Sequence, residues 1–275
     1  LSNITFDQLY DIFTEQAFHL IEGGVHGLLI ETSQDILEVK AAVVACHEAR
    51  MRAVKAGIIS STVDIVIQAQ VTLDPTGRML LGTDIKAALA ILEPLPVDVI
   101  GLNCSTGPNE MRESVRYLLE NSSKYISAIP NAGMPVNEHG HAVYKMDPDF
   151  FAKEVFSFIK EFGLHVTGGC CGTTPAHIKA LKDMILAHPE VKPRAVAPKR
   201  LPMVASAMTA TSLIQIPAPT LIGERLNSQG SKKMKELLIA DDLNAMLGIA
   251  RTQEEGGAHV LDICLASNER NDEGV

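Results

Sequence analysis

No apolar run in this sequence approaches the length of a membrane span, and its N-terminal residues do not read as a secretory leader. No basic run is present either. With a net charge of −9, nucleic acid and anionic membrane surfaces are poor partners. Cysteine is scarce: five in 275 residues, without regular spacing. That excludes a disulfide framework and fits a reducing cytoplasm. There is no short internal repeat and no low-complexity segment. What remains is ordinary globular composition, 46% hydrophobic and 21% charged, enough for one large domain or parts of two. The chain opens on Leu1, and its last residues, Asn268 to Val275, follow a strand-like run with no closing element. Both ends read as cuts, so an interior piece of a longer polypeptide is expected.

Apolar runs alternate with amphipathic stretches. Candidate strands are 27–31, 64–71, 97–103, 125–130 and 164–168. They are short, β-branched and nearly continuous, as in a parallel sheet covered on both faces. Between them, Ile36, Val39, Val43 and Cys46 recur at helical spacing, as do Phe151, Val155, Phe158 and Ile159. Thr174 followed by Pro175 reads as an N-cap and first helical residue. The alternation predicts an α/β fold, either a (β/α)8 barrel or a doubly wound sheet.

From Pro189 to Pro219 the rhythm breaks. This stretch holds six of the fourteen prolines and the small-residue run Ala205 to Thr211, and reads as an interdomain linker. Strand 220–226, a helix from Asp242 to Glu255 and strand 259–263 then restart the pattern as the opening of a second β/α domain.

The strand ends carry the chemistry. Glu31 ends the first strand, Cys104 follows the third, Asn131 the fourth, and Cys170 and Cys171 the fifth. In parallel β/α folds these carboxyl ends share one rim, where active sites form. Three thiols without a fourth protein ligand suggest an open zinc site that could hold a substrate thiolate. Helix starts near Pro108 and Pro175 favour thiolates there. A structural zinc and no metal at all remain open on spacing alone, since a lone cysteine is usually a small buried hydrophobe. Cys46 and Cys264 read that way. Glu31 could equally cap the next helix, and Asn131 could satisfy a turn. His141, His165 and His177 read as surface or helix residues. In the second segment, Glu224, Asn227 and Asp262 lie on its two strands, polar groups suited to a heterocycle such as a pterin.

Gly101-Leu-Asn-Cys104, Pro130-Asn-Ala-Gly133 and Gly168-Gly-Cys-Cys-Gly-Thr-Thr-Pro175 resemble the homocysteine domain of the cobalamin-dependent methionine synthases. Ile222-Gly-Glu-Arg-Leu-Asn227 resembles the start of their pterin-binding domain. The resemblance implies two (β/α)8 TIM-type barrels. Residues 1–188 would be the C-terminal part of the homocysteine (zinc) barrel, incomplete at its N-terminus. Residues 189–218 would be the linker, and 219–275 the start of the methyltetrahydrofolate barrel. It implies Zn2+ on Cys104, Cys170 and Cys171, the homocysteine ammonium on Glu31, and pterin contacts beginning at Glu224 and Asn227. The methyl donor would be 5-methyltetrahydrofolate, relayed by a cobalamin module of the same polypeptide outside these residues. From its place between the cysteine-bearing strands, Asn131, or a water it holds, is expected at the fourth metal position until homocysteine arrives.

Two rival readings are a folate-independent homocysteine S-methyltransferase and an inactive zinc-binding remnant. The second domain argues against the first, because such enzymes need only one barrel. The intact set of Glu31, Asn131 and three cysteines argues against the second.

Overall fold

The computed structural model describes residues 4–196 and 202–266. The last segment, 268–275, lies outside the described residues. The chain divides into two compact units, the division falling between residues 201 and 211. Among the described residues, no helix is long and apolar enough to cross a membrane.

The first unit opens with α1 (Phe6–Glu22), started by a capping box in which Thr5 and Gln8 satisfy each other's backbone N–H. Five parallel strands follow: β1 (Gly27–Ser33), β2 (Val66–Val71), β3 (Val99–Asn103), β4 (Tyr125–Ile129) and, beyond a hairpin β5 (Val136–Glu138) and β6 (His141–Val143), β7 (Val166–Thr167). They lie in the sheet order β1-β2-β3-β4-β7, which is the order of the chain. The connecting helices are α2 (Ile36–Lys55), α3 (Ile85–Leu92), α4 (Pro108–Asn121), α5 (Pro148–Ser157) and, after β7, α6 (Pro175–Ala187). Each helix touches the next, from α1·α2 through α5·α6. Helices on alternate faces could not do so, which places them in one layer.

That geometry removes the doubly wound alternative, whose strand order reverses at a switch point. No closed barrel is present: among the described residues the sheet has two free edges, at β1 and β7. Leu28, Ile67, Ala69, Val71, Ile100, Leu102, Ile126 and Ala128 join helix residues such as Val39, Val43, Leu118, Phe151 and Val155 in one buried cluster. By strand alternation the other face carries Leu29, Glu31, Gln68, Gln70, Gly101, Asn103 and Ser127. This face is polar rather than the apolar second face that continuous strands suggest. Gln70, Gly101 and Ser127 are in register on β2, β3 and β4. Gln70 Nε2 donates to Ser127 Oγ across the glycine at 2.7 Å, and Gln68 Nε2 donates to the same oxygen at 3.0 Å.

Helix starts follow local chemistry. Asp35, Asp84 and Asp147 cap α2, α3 and α5, and Pro108 and Pro175 open α4 and α6. α5 passes into a wider π turn over Phe158–Phe162 and is stopped by Gly163 at φ 77°. Phe158 and Ile159 therefore stay buried beyond the regular helix.

The linker stretch contains a short ribbon, β8 (Met203–Ala205) and β9 (Ala210–Ser212), that its proline content does not suggest. In the second unit β10 (Ile222–Asn227) and β11 (Val260–Cys264) pair in parallel, with α7 (Lys232–Ile239) and α8 (Leu243–Glu255) between them. Leu226, Met234, Leu238 and Met246 form its small core.

Candidate functional site

Cys104 leaves β3, and Cys170 and Cys171 follow β7, so β4 alone separates their strands. Their three sulfurs lie within 4.8 Å of one another. Cys104 Sγ is 3.6 Å from Cys171 Sγ, which is 3.9 Å from Cys170 Sγ. Tetrahedral zinc with bonds of about 2.3 Å would hold two sulfurs about 3.8 Å apart. The spacing thus fits a single zinc ion with one coordination position left over. All five cysteines are unpaired.

Electrostatics give the same requirement. Burial first, then the neighbouring Cys104 and Cys171 sulfurs, pushes the Cys170 thiol up to about 12. Ionised together, three sulfurs so crowded would need a cation among them, and soft thiolate donors suit zinc.

The local backbone is forced into place. Cys104 and Ser105 adopt φ values of 60° and 64°. Non-glycine residues in this region each cost about 1–3 kcal/mol and persist only where the surroundings over-determine them. Here Cys104 N–H donates to Ile129 O, and Thr106 N–H donates to Cys104 O. Cys170 N–H donates to Pro130 O, and Ala132 N–H donates to Cys171 O. The loops after β3, β4 and β7 are therefore stitched together.

Asn131 is buried, and its Oδ1 accepts from Cys171 N–H at 3.1 Å. Its side chain thus reaches the cysteine loop. Glu31 is exposed at the carboxyl end of β1, beside a break in the β1–β2 register. It does not cap α2, because Asp35 does. His177 is a helix-start residue: its Nδ1 accepts from Thr174 N–H at 3.1 Å, and its Nε2 meets Met146 O at 2.9 Å. His165 accepts from Ile126 N–H, and His141 sits in the exposed hairpin, so none of the three joins the thiols. Cys46 is buried under α2, its thiol raised to about 11 by that burial.

Two neighbours of the thiols are not among the expected site residues. The Tyr144 ring lies against Gly172, leaving no space there for a Cβ. Its hydroxyl meets the Cys171 sulfur; burial, then that sulfur's charge, holds the phenol above its ordinary range. Asn103 is fully buried directly before Cys104, with its amide 4.0 Å from Cys170 Sγ. It is hidden in the sequence because it reads as the last residue of an apolar strand.

In the second unit Glu224 and Asp262 are exposed on β10 and β11. Asn227 Oδ1 accepts from Gln229 and Gly230 N–H at 2.9 and 3.1 Å, so it holds the turn into α7.

Residues 1–185 match the homocysteine S-methyltransferase family, and the chain belongs to it. Over 273 residues it is 41% identical to the methionine synthase of Mycobacterium leprae, and over 267 residues 42% identical to that of Mycobacterium tuberculosis. These alignments cover 98% and 96% of this chain but 22% and 21% of the relatives, so the chain spans about a fifth of their length. Among solved structures, the metallated form of the homocysteine methyltransferase MmuM from Escherichia coli is similar in fold. It has a TM-score of 0.50 and 20% identity over 66% of this chain and 53% of that one.

Proposed function

We propose that this chain is the homocysteine-activating part of a cytoplasmic methionine synthase. Such an enzyme moves a methyl group from 5-methyltetrahydrofolate, through cobalamin held by another module, to the sulfur of homocysteine. The observation that carries the reading is the set of three sulfurs spaced for one zinc and leaving one position open. Zinc bound there would act as a Lewis acid that keeps the homocysteine sulfur deprotonated and nucleophilic at neutral pH.

The chain's own groups supply the rest. Cys104, Cys170 and Cys171 would hold the metal, and their negative charge would keep the acceptor sulfur electron-rich. Glu31 receives the substrate ammonium as a charge-assisted hydrogen bond. Asn131, kept beside the cysteine loop by its hydrogen bond from Cys171 N–H, or a water it holds, would supply a neutral oxygen at the fourth position that yields to homocysteine. The sequential strand order and single helix layer support residues 1–188 as the last five βα units of a (β/α)8 barrel. Residues 189–218 then form the linker. Residues 219–275 begin the folate barrel, where Glu224, Asn227 and Asp262 open the pterin site.

Glu31→Gln in the complete polypeptide is expected to weaken homocysteine binding by about 1.5–3 kcal/mol while zinc stays bound. Isothermal titration together with metal analysis checks this; zinc loss at unchanged homocysteine affinity would reverse the assignment. The stretch 1–275 expressed alone is expected to lack methyl transfer, because among the described residues its five-stranded parallel sheet has both edges unpaired, short of the eight strands of a closed barrel. Turnover of methylcobalamin and homocysteine by that stretch at the rate of the complete polypeptide would contradict it.

A further inference from the structure

Glu31 is followed at once by a left-handed kink inside β1. Thr32 has φ 57°, and the β1–β2 register breaks between Ile30 and Ser33. A β-branched residue in this region needs outside partners to stay there. Both come from one side chain. Thr32 N–H donates to Asn103 Oδ1 at 2.8 Å, and Asn103 Nδ2 donates to Thr32 Oγ1 at 2.8 Å. The same Nδ2 lies 4.0 Å from Cys170 Sγ. Asn103 is itself immobilised: it is fully buried, and its backbone carbonyl accepts from Thr72 Oγ1 at 3.0 Å. Its amide oxygen and its two amide protons thus face the bend after Glu31 and a sulfur of the thiol cluster.

We propose that Asn103 is a positioning residue that couples the substrate-ammonium carboxylate to the metal centre, one amide setting both the course of the chain after Glu31 and the hydrogen bonding of the Cys170 sulfur. This deepens the function proposed above and rests on it. Partners of metal ligands orient them and tune the electron density they deliver. Here the partner of a ligand also fixes the group that would bind the other end of the substrate. Loss of this one side chain would therefore be felt at both sites, whereas loss of its contact to Thr32 alone would be felt only on the Glu31 side, because Asn103 is also held by burial and by Thr72.

The test uses the complete polypeptide with Asn103→Ala, Thr32→Val and Thr32→Ser. It reads zinc affinity by chelator competition, the thiolate-to-metal absorption of the cobalt(II) form, and the homocysteine KM and kcat separately. Asn103→Ala is expected to weaken zinc by about 10–100-fold, move the cobalt(II) band, and raise the homocysteine KM at saturating zinc. Thr32→Val loses the hydroxyl acceptor but not the cysteine contact. It should raise KM several-fold with zinc affinity and kcat unchanged, and Thr32→Ser should restore the parent values. A loss of packing alone would not separate zinc affinity from KM in this way. If Asn103→Ala does not fold, the Thr32 pair decides. A Thr32→Val protein with parent KM, or a folded Asn103→Ala protein with parent zinc affinity, overturns the inference while Cys104→Ser still loses zinc. Zinc retained in Cys104→Ser instead overturns the functional reading beneath it, and the inference with it.

Discussion

Replacing Cys104, Cys170 or Cys171 with serine, one at a time in the complete polypeptide, is expected to strip most of the zinc. The loss should exceed the 10–100-fold typical when only a partner of a ligand is removed, so about a hundredfold or more. Serine is nearly isosteric but keeps its proton at neutral pH, so it delivers neither the charge nor the soft donor that zinc takes from thiolate. Among the described residues only these three thiols are grouped to hold the ion, and no other group of three or more His, Cys, Asp or Glu side chains is close enough to take over. X-ray absorption on the parent should give three zinc–sulfur contacts at about 2.3 Å. Full metal content in all three variants would sink the site.

The largest expected effect on stability is at Gly101. A Cβ there would stand 2.7 Å from Ser127 Cβ and closer still to the Ser127 carbonyl oxygen. β3 lies between β2 and β4 and cannot retreat to either side. The new methyl would also lie where Gln70 crosses to Ser127. Overpacking in a well-filled core costs about 1–3 kcal/mol, and with backbone on the far side of the clash the cost of Gly101→Ala should reach about 3 kcal/mol or more. Gly248→Ala in α8 is the control: nothing lies within 4 Å of its Cβ position, and helix propensity should return about 0.5–1 kcal/mol. Urea unfolding of the two variants beside the parent measures both signs. Equal midpoints for Gly101→Ala and the parent would refute the packing argument.

The five parallel strands are legible in the sequence because continuous β-branched runs have few other uses, and the observed spans fall within two residues of the expected ones at their starts and ends. The convergence of Cys104 with Cys170 and Cys171 is legible for a related reason: strand ends of a parallel sheet share a rim whatever the loops do. Four things are hidden. The β5–β6 hairpin is three residues a side, all exposed but the half-buried Val143, too short to show a period. α7 was swallowed by the interval between two strands. Asn103 looks like strand and acts through its side chain on residues 71 and 67 positions away, a relation that no local pattern records. The polar face of the sheet is hidden too, since Gln68, Gln70 and Ser127 interrupt runs that otherwise read as apolar throughout.

Cys104 and Cys171 are 67 residues apart in the chain. At a synthesis rate of about 5–20 residues per second, the first thiol leaves the ribosome about 3–13 seconds before the last. Sheet order equals chain order, so β1 to β4 can assemble one after another as they emerge. The thiol cluster cannot. Cys104 must wait as a lone sulfur at the end of β3 until β7 docks beside β4 and brings the other two. Any metal capture by the three sulfurs would thereby wait until β7 has emerged, and a nascent chain halted before β7 would present a single oxidisable thiol on that rim in place of a set of three.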